Sequence, residues 1–420
     1  MPDTRIANFG AGPSALPESV LLEAAQGLLN FENTGIGIAE ISHRSKEFDA
    51  YIKATATLIR DQLAVPPTHD ILFMQGGGTA QFSAVVLNML ARHRLLHPEL
   101  PDTERVLDYV LTGSWSKAAH AEATRLLAHG AATVHVAADS RAHAADGKSF
   151  DGLPPHAAYT FSRDPVLIYY CENETVSGTQ FAGVEGTPTS FPFHLLPSTE
   201  GTLLPLVGDY SSSFMSRPIP RLADHAIIYA GVQKNLGPAG ATVVIVRKDC
   251  IVDVDAAARL GGTHVPVPIS LAYKPFAAND SMPNTPSVLA VYISGLVLKR
   301  SKALGGVAYY EQVNRRKMQK VYGVLREGAA RGVLVPKVRE GEGSWMNVVF
   351  GVSGEGAEAR FLKGAEERGM KGLKGHRSVG GIRVSLYNAV TEEWTDQLVT
   401  YIREFIEEEA KAQNQAPAAA

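Results

Sequence analysis

Short apolar runs alternate along the N-terminal part of the chain with segments in which apolar side chains recur every three or four positions. The second pattern predicts helices at residues 17–30, 46–63, 116–128 and from the glycines at 76–78 to residue 90. The apolar runs predict strands at residues 70–74, 105–111, 166–171, 203–207, 226–230 and 241–246. Strands that alternate with helices form βαβ units, so this order predicts an α/β fold with a mostly parallel sheet.

The C-terminal part follows a different order. Helical patterns cover residues 288–302, 307–325, 357–368 and 391–409, and strand patterns cover residues 347–352 and 382–387. A Pro-rich stretch at 283–287 precedes them, and it favours a linker. We therefore predict an extended arm at 1–17, a large domain at 18–286, a smaller α+β domain at 287–409 and a disordered tail at 410–420. The Pro-, Ser- and Phe-containing stretch at 185–201 is predicted to be a surface insertion, for which no role is assigned.

Polar clusters follow three of the predicted strands directly. They lie at residues 172–175, 208–212 and 231–234. Because ligands of parallel sheets bind at the carboxyl ends of the strands, these clusters predict a ligand site at that edge.

Charge and composition exclude several classes of function. The chain has 40 Lys and Arg against 43 Asp and Glu, a net charge of −3, which argues against broad nucleic-acid binding. Its two cysteines, Cys171 and Cys250, provide neither a disulfide framework nor a Cys-rich zinc site, and no metal is expected. The sequence shows no signal-peptide pattern and no run long enough to span a membrane. We expect a cytoplasmic protein without nucleic-acid or membrane partners.

A glycine run at 76–78 opens one predicted helix. Backbone N–H groups at such a helix start can bind an anion, and the hydroxyl of Thr79 adds a further donor. The run fits neither the Walker pattern nor the dinucleotide fingerprint, and a tight packing turn remains an alternative.

Two charged residues are placed where a surface role is unfavourable. Asp209 ends a predicted buried strand, so its carboxylate needs a partner, although a helix cap or a salt bridge would also satisfy it. Lys234 stands between a strand and a Gly/Pro turn, where burial would lower its pKa and make it nucleophilic; an ordinary surface lysine is the alternative. Together with Trp115, Thr175 and the glycine turn, this order suits pyridoxal phosphate (PLP), which needs an anion site, an Asp, a Lys and an aromatic face.

The chain resembles the phosphoserine aminotransferase family, whose members are class V, fold-type I enzymes dependent on PLP. The matching segments lie at residues 8–13, 42–48, 76–82, 173–175, 208–212, 229–240, 284–286 and 375–383. The resemblance implies a large domain with a mostly parallel seven-stranded sheet sandwiched by helices, followed by a smaller C-terminal α+β domain. It also implies the exchange of an amino group between phosphoserine and 2-oxoglutarate, in serine biosynthesis and with ping-pong kinetics.

The resemblance implies a role for each matching residue toward PLP. Lys234 would bind its aldehyde and Asp209 its ring nitrogen, and these two residues would be catalytic. The other cofactor contacts would be Gly78, Thr79, Trp115, Thr175 and Gln233, together with Asn284 and Thr285 from the partner subunit of a homodimer with shared active sites. Many bacterial members carry Arg where this chain has Thr79, which leaves the contact of Thr79 with the phosphate open.

The same resemblance implies the substrate contacts. Arg383 would pair with the α-carboxylate, since an Arg inside a Val/Leu-rich strand needs an anion. The pairs His43–Arg44 and His376–Arg377 would read the distal phosphate of phosphoserine or the γ-carboxylate of glutamate. Taken singly, each pair could also be a surface cation or a satisfied polar group.

Three other functions are alternatives to this interpretation, and a feature of the sequence disfavours each. A class V aminotransferase acting on serine or alanine with glyoxylate has no need of two His–Arg pairs. A cysteine desulfurase needs a thiol on a mobile loop, and neither Cys171 nor Cys250 is placed on one. A non-catalytic protein that binds phosphorylated ligands would lose Lys234 or Asp209, and both are present.

Overall fold

The computed structural model describes residues 5–197, 203–263 and 265–415. The helices are α1 Glu18–Gly27, α2 Lys46–Leu63, α3 Gly77–Leu96, α4 Ser114–Leu126, α5 Val254–Ala258, α6 Tyr273–Ala278, α7 Val288–Leu304, α8 Gly306–Ala330, α9 Ala357–Glu367 and α10 Glu392–Gln415. The strands are β1 Ala7–Asn8, β2 His69–Met74, β3 Val106–Leu111, β4 Thr133–Asp139, β5 Leu167–Cys171, β6 Leu206–Asp209, β7 His225–Gly231, β8 Thr242–Arg247, β9 Leu334–Pro336, β10 Asn347–Val352, β11 Met370–Lys371 and β12 Ile382–Ser385.

The larger sheet has seven strands in the order β2-β8-β7-β6-β5-β3-β4. Strands β7, β6, β5, β3 and β4 run parallel, and β8 is antiparallel to both of its neighbours. The predicted mostly parallel α/β sheet is confirmed. Strand β4 was not predicted, because the polar His135 interrupts its apolar residues and the first four positions of this edge strand are exposed or half-buried.

Both faces of the larger sheet are buried under helices. Successive residues of β2 point to opposite faces, so Ile71 and Phe73 join a core with α1, α2 and α7, while Leu72 and Met74 join a core with α3 and α4. This double burial explains the unbroken apolar runs that predicted the strands.

A second body packs around the antiparallel sheet β12-β10-β9. Its core takes residues from α8, α9 and α10 and also from the arm, where β1 pairs with β11 and Phe9 is fully buried. Helix α7 lies beyond the predicted boundary at 286, yet its Tyr292 packs in the core of the larger sheet and its carbonyl accepts from the Tyr51 hydroxyl at 2.8 Å. The domain boundaries themselves stay a prediction.

Two predictions need correction, one for the C-terminal tail and one for the stretch at 185–201. The tail was predicted to be disordered from residue 410, but α10 continues to Gln415, and residues 416–420 lie outside the described residues. The stretch at 185–201 is not a surface insertion throughout, because Phe191 and Phe193 are buried and Phe191 stacks on Tyr170 with ring centroids 4.2 Å apart. Its residues 198–201 lie outside the described residues.

The sequence predicted no membrane-spanning segment. Within the described ranges, the structure contains no helix that is both long and apolar enough to cross a bilayer.

Candidate active site

The carboxyl ends of the central strands surround a cavity of about 440 Å³. Asp209 is the last residue of β6, and the sheet register places it between Cys171 of β5 and Tyr229 of β7. The turn after β7 brings Lys234 to the same opening. The predicted site residues that line this cavity are Gly78, Thr79, Trp115, Thr175, Asp209, Gln233, Lys234, His376 and Arg383.

The amine of Lys234 is buried and held in place. Its Nζ donates to Thr175 Oγ1 at 2.9 Å and lies 6.0 Å from the centroid of the Trp115 ring. Burial lowers the pKa of Lys234, and the carboxylate of Asp209 opposes that shift. The amine therefore loses its proton more readily than an exposed lysine does.

The arm fixes the backbone of the lysine segment. Gly12 adopts a φ of +132°, and a Cβ at this position would lie 3.5 Å from Cγ of Lys234. Ser14 N donates to the carbonyl of Gln233 at 3.1 Å, and the Ser14 hydroxyl donates to the carbonyl of Lys234. Glycine is thus favoured at position 12 by its backbone conformation, and Ser14 holds the lysine segment through two of its carbonyl groups.

The carboxylate of Asp209 is fixed by two donors. Ser211 N donates to Oδ1 at 2.9 Å and the Tyr229 hydroxyl donates to Oδ2 at 3.0 Å. The Tyr229 hydroxyl also bonds to that of Tyr169, at 2.8 Å. The carboxylate is therefore aimed into the cavity without a cationic side chain bound to it among the described residues.

The glycine turn forms the N-terminus of α3. Gly76 and Gly77 have φ values of +93° and +64°, which other residues adopt only with strain. Among the described residues, no side chain caps this helix start, and Gly76 to Thr79 line the cavity at the positive end of the helix dipole. This geometry suits a phosphate group.

Arg383 and His376 form a further part of the cavity wall, where Arg383 lies next to Thr175. Arg383 Nη1 donates to the carbonyl of Thr175 at 3.3 Å, while its buried Nε has no hydrogen-bond partner in the described part of the chain. Burial lowers the pKa of Arg383. Burial and the nearby guanidinium of Arg383 lower the pKa of His376, whose Nδ1 lies 2.7 Å from Ser378 Oγ. This wall carries positive charge and a free donor.

The other predicted site residues lie outside the cavity. Arg44, Arg377, Asn284 and Thr285 are exposed, and His43 is half-buried. The carbonyl of Thr285 accepts a hydrogen bond from the side chain of Gln75, the residue before the glycine turn, at 2.9 Å. The segment at 284–285 thus lies next to the turn of its own chain, and its predicted contact with a partner's cofactor stays a prediction.

Two residues that support the site without lining the cavity were not predicted from the sequence. They are Tyr229 and Glu174, whose carboxylate accepts hydrogen bonds from the first turn of α4, next to Trp115. A buried tyrosine in an apolar strand carries no signal of the carboxylate it binds. The only indication of the role of Glu174 is weak: α4 has no acidic residue in its own first turn, so a carboxylate from another segment can bind there.

One group of potential metal ligands lies elsewhere, at the end of α3. Ligand atoms of His93, His97 and Asp164 lie within 4.8 Å of one another. Arg105 Nη1 lies 2.8 Å from His93 Nδ1, and a guanidinium only donates, so neutral His93 carries its proton on Nε2, the atom that faces Asp164. That tautomer offers no lone pair to a metal ion.

Comparisons with known proteins agree with this geometry. The family model for Aminotransferase class-V matches residues 6–398. A phosphoserine aminotransferase of Ectopseudomonas mendocina is 40% identical over 97% of this chain and 99% of its own length, and a probable phosphoserine aminotransferase of Caenorhabditis elegans is 39% identical over 95% and 96%. The crystal structure of a PLP-bound phosphoserine aminotransferase from Trichomonas vaginalis has a TM-score of 0.79 and 32% identity, and the match covers 95% of this chain and 100% of that one.

Proposed function

Because the chain belongs to the class V aminotransferase family, we propose that, with bound PLP, it interconverts 3-phosphooxypyruvate plus glutamate and phosphoserine plus 2-oxoglutarate. In serine biosynthesis this reaction runs towards phosphoserine. Relatives of this name match the chain over nearly its full length. The single observation that carries the proposal is that the Lys234 amine, the Asp209 carboxylate and the N-terminus of α3 open into one cavity.

The donors and charges around the cavity fit PLP. An uncapped helix start suits its phosphate, an acceptor without a bound cation suits its protonated ring nitrogen, and a buried amine suits its aldehyde. The residues proposed to hold it are Gly78, Thr79 and Gln233 at the phosphate, Asp209 at the ring nitrogen, Trp115 and Thr175 at the ring, and Lys234 at the aldehyde. Bound PLP supplies an electron sink that stabilises the negative charge left when an amino acid loses its α-proton.

Lys234 is proposed as the base that takes this α-proton. Its lowered pKa favours the neutral amine, which has the lone pair that a base needs. The Thr175 hydroxyl accepts from Nζ and keeps the amine directed into the cavity. Asp209, held by two donors, keeps the positive charge of the ring nitrogen in place during the transfer.

The substrate's charges match the part of the cavity wall formed by Arg383 and His376. The α-carboxylate is proposed to bind the Nε and Nη2 edge of Arg383, because Nε has no partner among the described residues and Nη1 already donates to the Thr175 carbonyl. His376 is proposed to contact the distal group. His43, Arg44 and Arg377 are proposed to recognise the same phosphate or γ-carboxylate, and because they lie outside the cavity of the single chain, this role requires movement or a second subunit.

A homodimer with shared sites is the proposed assembly, and the cytoplasm the proposed compartment. The exposed pair Asn284 and Thr285, beside the glycine turn, supports an exchange between two copies related by a two-fold axis. Two free, buried cysteines are compatible with a reducing compartment. Mixing an inactive Lys234→Ala chain with a chain inactivated at both Asn284 and Thr285 should restore activity, because the mixed dimer contains one complete site. No recovery after proven subunit exchange would contradict shared sites.

The proposed reaction is tested by half-reactions of the PLP-loaded protein. Phosphoserine should remove the visible absorption of the lysine-bound cofactor rapidly, and 2-oxoglutarate should restore it. Serine, which has the α-carboxylate without the phosphate, is the matched control and should react slowly. Rapid reaction with alanine and recovery with glyoxylate would instead identify a glyoxylate-type aminotransferase, and the absence of a cofactor band would indicate a non-catalytic protein.

A further inference from the structure

The first turn of α4 is capped by a side chain from a different strand connection. The carboxylate of Glu174, which follows β5, accepts from the backbone N–H of Trp115 at 2.9 Å and of Ser116 at 2.8 Å. The Ser116 hydroxyl donates to it as well, at 2.6 Å. The preceding residue, Gly113, has no room for a side chain, because a Cβ there would lie 2.3 Å from Cδ of Glu174.

This cap joins the two elements that flank Lys234. Glu174 is followed by Thr175, whose hydroxyl accepts from Lys234 Nζ at 2.9 Å, and it binds the backbone of Trp115, whose ring centroid lies 6.0 Å from the same Nζ. A shift of the Glu174 side chain therefore moves the indole relative to the amine.

The carboxylate has little freedom to move. Glu174 is fully buried, and its three donors are two backbone N–H groups and one hydroxyl; within the described ranges it forms no ion pair. Burial raises the pKa of Glu174, while its three hydrogen bonds oppose that shift. The positive end of the α4 dipole stabilises the ionised form at this place. A plain helix cap could have been supplied by a polar residue at the N-cap position 113, without a buried carboxylate from another segment.

We propose that Glu174 is a positioning residue, which holds the Trp115 indole at the distance needed to stack on the ring of bound PLP. The proposal rests on the proposed function only in that PLP binds at this cavity. Glu174 touches neither substrate nor cofactor in this role, and it acts through Trp115.

The test is a double-mutant cycle between Glu174→Asp and Trp115→Ala. Aspartate keeps the charge but is one methylene shorter, so it cannot hold both N–H groups in the same place. Aromatic stacking corresponds to a factor of about 2 to 12 in binding, so Trp115→Ala should weaken PLP binding by about that factor. Glu174→Asp alone should approach the same loss, and adding it to Trp115→Ala should cause no further loss. The readouts are the equilibrium dissociation constant of PLP and the visible circular dichroism of the bound cofactor.

Glu172→Asp is the matched control. Glu172 is a buried carboxylate two residues earlier, bound by Arg217 and Gln180 and without contact to α4. Its shortening should lower the thermal stability without changing the dichroism of the cofactor. Glu174→Gln disrupts the cap by a second route, because its amide NH2 only donates and cannot accept from the N–H groups of α4, so it should reproduce the loss caused by Glu174→Asp.

Each outcome decides one question. Losses that multiply in the Glu174→Asp, Trp115→Ala double variant, or wild-type PLP binding by Glu174→Asp, overturn the positioning role. If Glu174→Asp does not fold, Ser116→Ala replaces it in the cycle, since it removes one of the three donors, and the same criterion applies. A wild-type protein that binds no PLP overturns the proposed function instead.

Discussion

The two sides of the cavity differ in how completely the single chain assembles them. On the cofactor side, polar groups are already paired: Lys234 with Thr175, and Asp209 with Tyr229 and Ser211. On the substrate side, Arg383 keeps a buried Nε without a partner in the described chain, and Arg44 is exposed.

The difference follows from the elements that supply each side. Asp209 is part of a strand and Lys234 directly follows one, so the register of the larger sheet fixes both positions. The predicted phosphate-reading pairs instead stand on turns, at 42–45 before α2 and at 374–381 before β12. A strand fixes the position of a chemical group even without its ligand. Turns are more mobile, so their side chains take up their final positions when a ligand or a neighbouring chain binds.

Replacing Lys234 is the most damaging change we expect on the cofactor side. Lys234→Ala should lower turnover by up to about 10⁴-fold, because the only proposed base for the α-proton is removed. The fold should persist in far-UV circular dichroism. Borohydride reduction and peptide mapping of the wild-type protein should place the cofactor on Lys234. Lys248→Ala, an exposed lysine after β8, should stay fully active; cofactor attached to any other lysine would refute the assignment.

Asp209→Asn is expected to have the second largest effect. The amide keeps the shape of the carboxylate but cannot balance the charge of a protonated ring nitrogen, so turnover should fall about 10²- to 10³-fold with PLP still bound. Asp108→Asn is the control, since Asp108 is equally buried in the same sheet and bonds to Ser162 and His135 away from the cavity. It should lower stability and leave turnover unchanged. Full activity of Asp209→Asn would make Asp209 a structural residue.

The substrate side is tested by two arginines that serve as controls for each other. Loss of a charged hydrogen-bond partner corresponds to about 10- to 150-fold in binding or rate. Arg383→Ala should slow the half-reactions of phosphoserine and alanine alike, because both carry an α-carboxylate. Arg44→Ala should slow only that of phosphoserine. Equal losses for both amino acids in Arg44→Ala would contradict its proposed contact with the distal phosphate.

The sequence was informative about the cofactor side because that side is made of strand ends. The apolar runs located β5, β6 and β7, and several of the polar residues that follow them line the cavity, among them Thr175, Asp209 and Lys234. Helix α2 was predicted with its observed bounds, since Ser45 caps it through the N–H of Phe48 and apolar positions recur along one face.

What the sequence left out depends on contacts between distant segments. Phe191 was predicted to lie on the surface with the rest of the stretch at 185–201. The Pro- and Ser-rich composition of this stretch does not indicate that the Phe191 ring stacks on Tyr170. Glu174 was part of a recognised segment but received no role, because its partners in α4 are 58 and 59 residues away. Residues 410–415 have the Ala-rich composition of a tail and nevertheless continue α10.

The smallest predicted effect concerns Tyr229, whose hydroxyl holds the carboxylate of Asp209. Tyr229→Phe removes the hydroxyl that donates to Asp209 Oδ2, which leaves a buried acceptor with one donor fewer. The free energy of unfolding should fall by about 1–3 kcal/mol, measured by urea denaturation of the protein without cofactor. Tyr109→Phe is a close control: Tyr109 lies in the same core, but its buried hydroxyl has no partner among the described residues, so its removal should be neutral or stabilising. Equal destabilisation by the two changes would show that the Tyr229 hydroxyl does not contribute through Asp209.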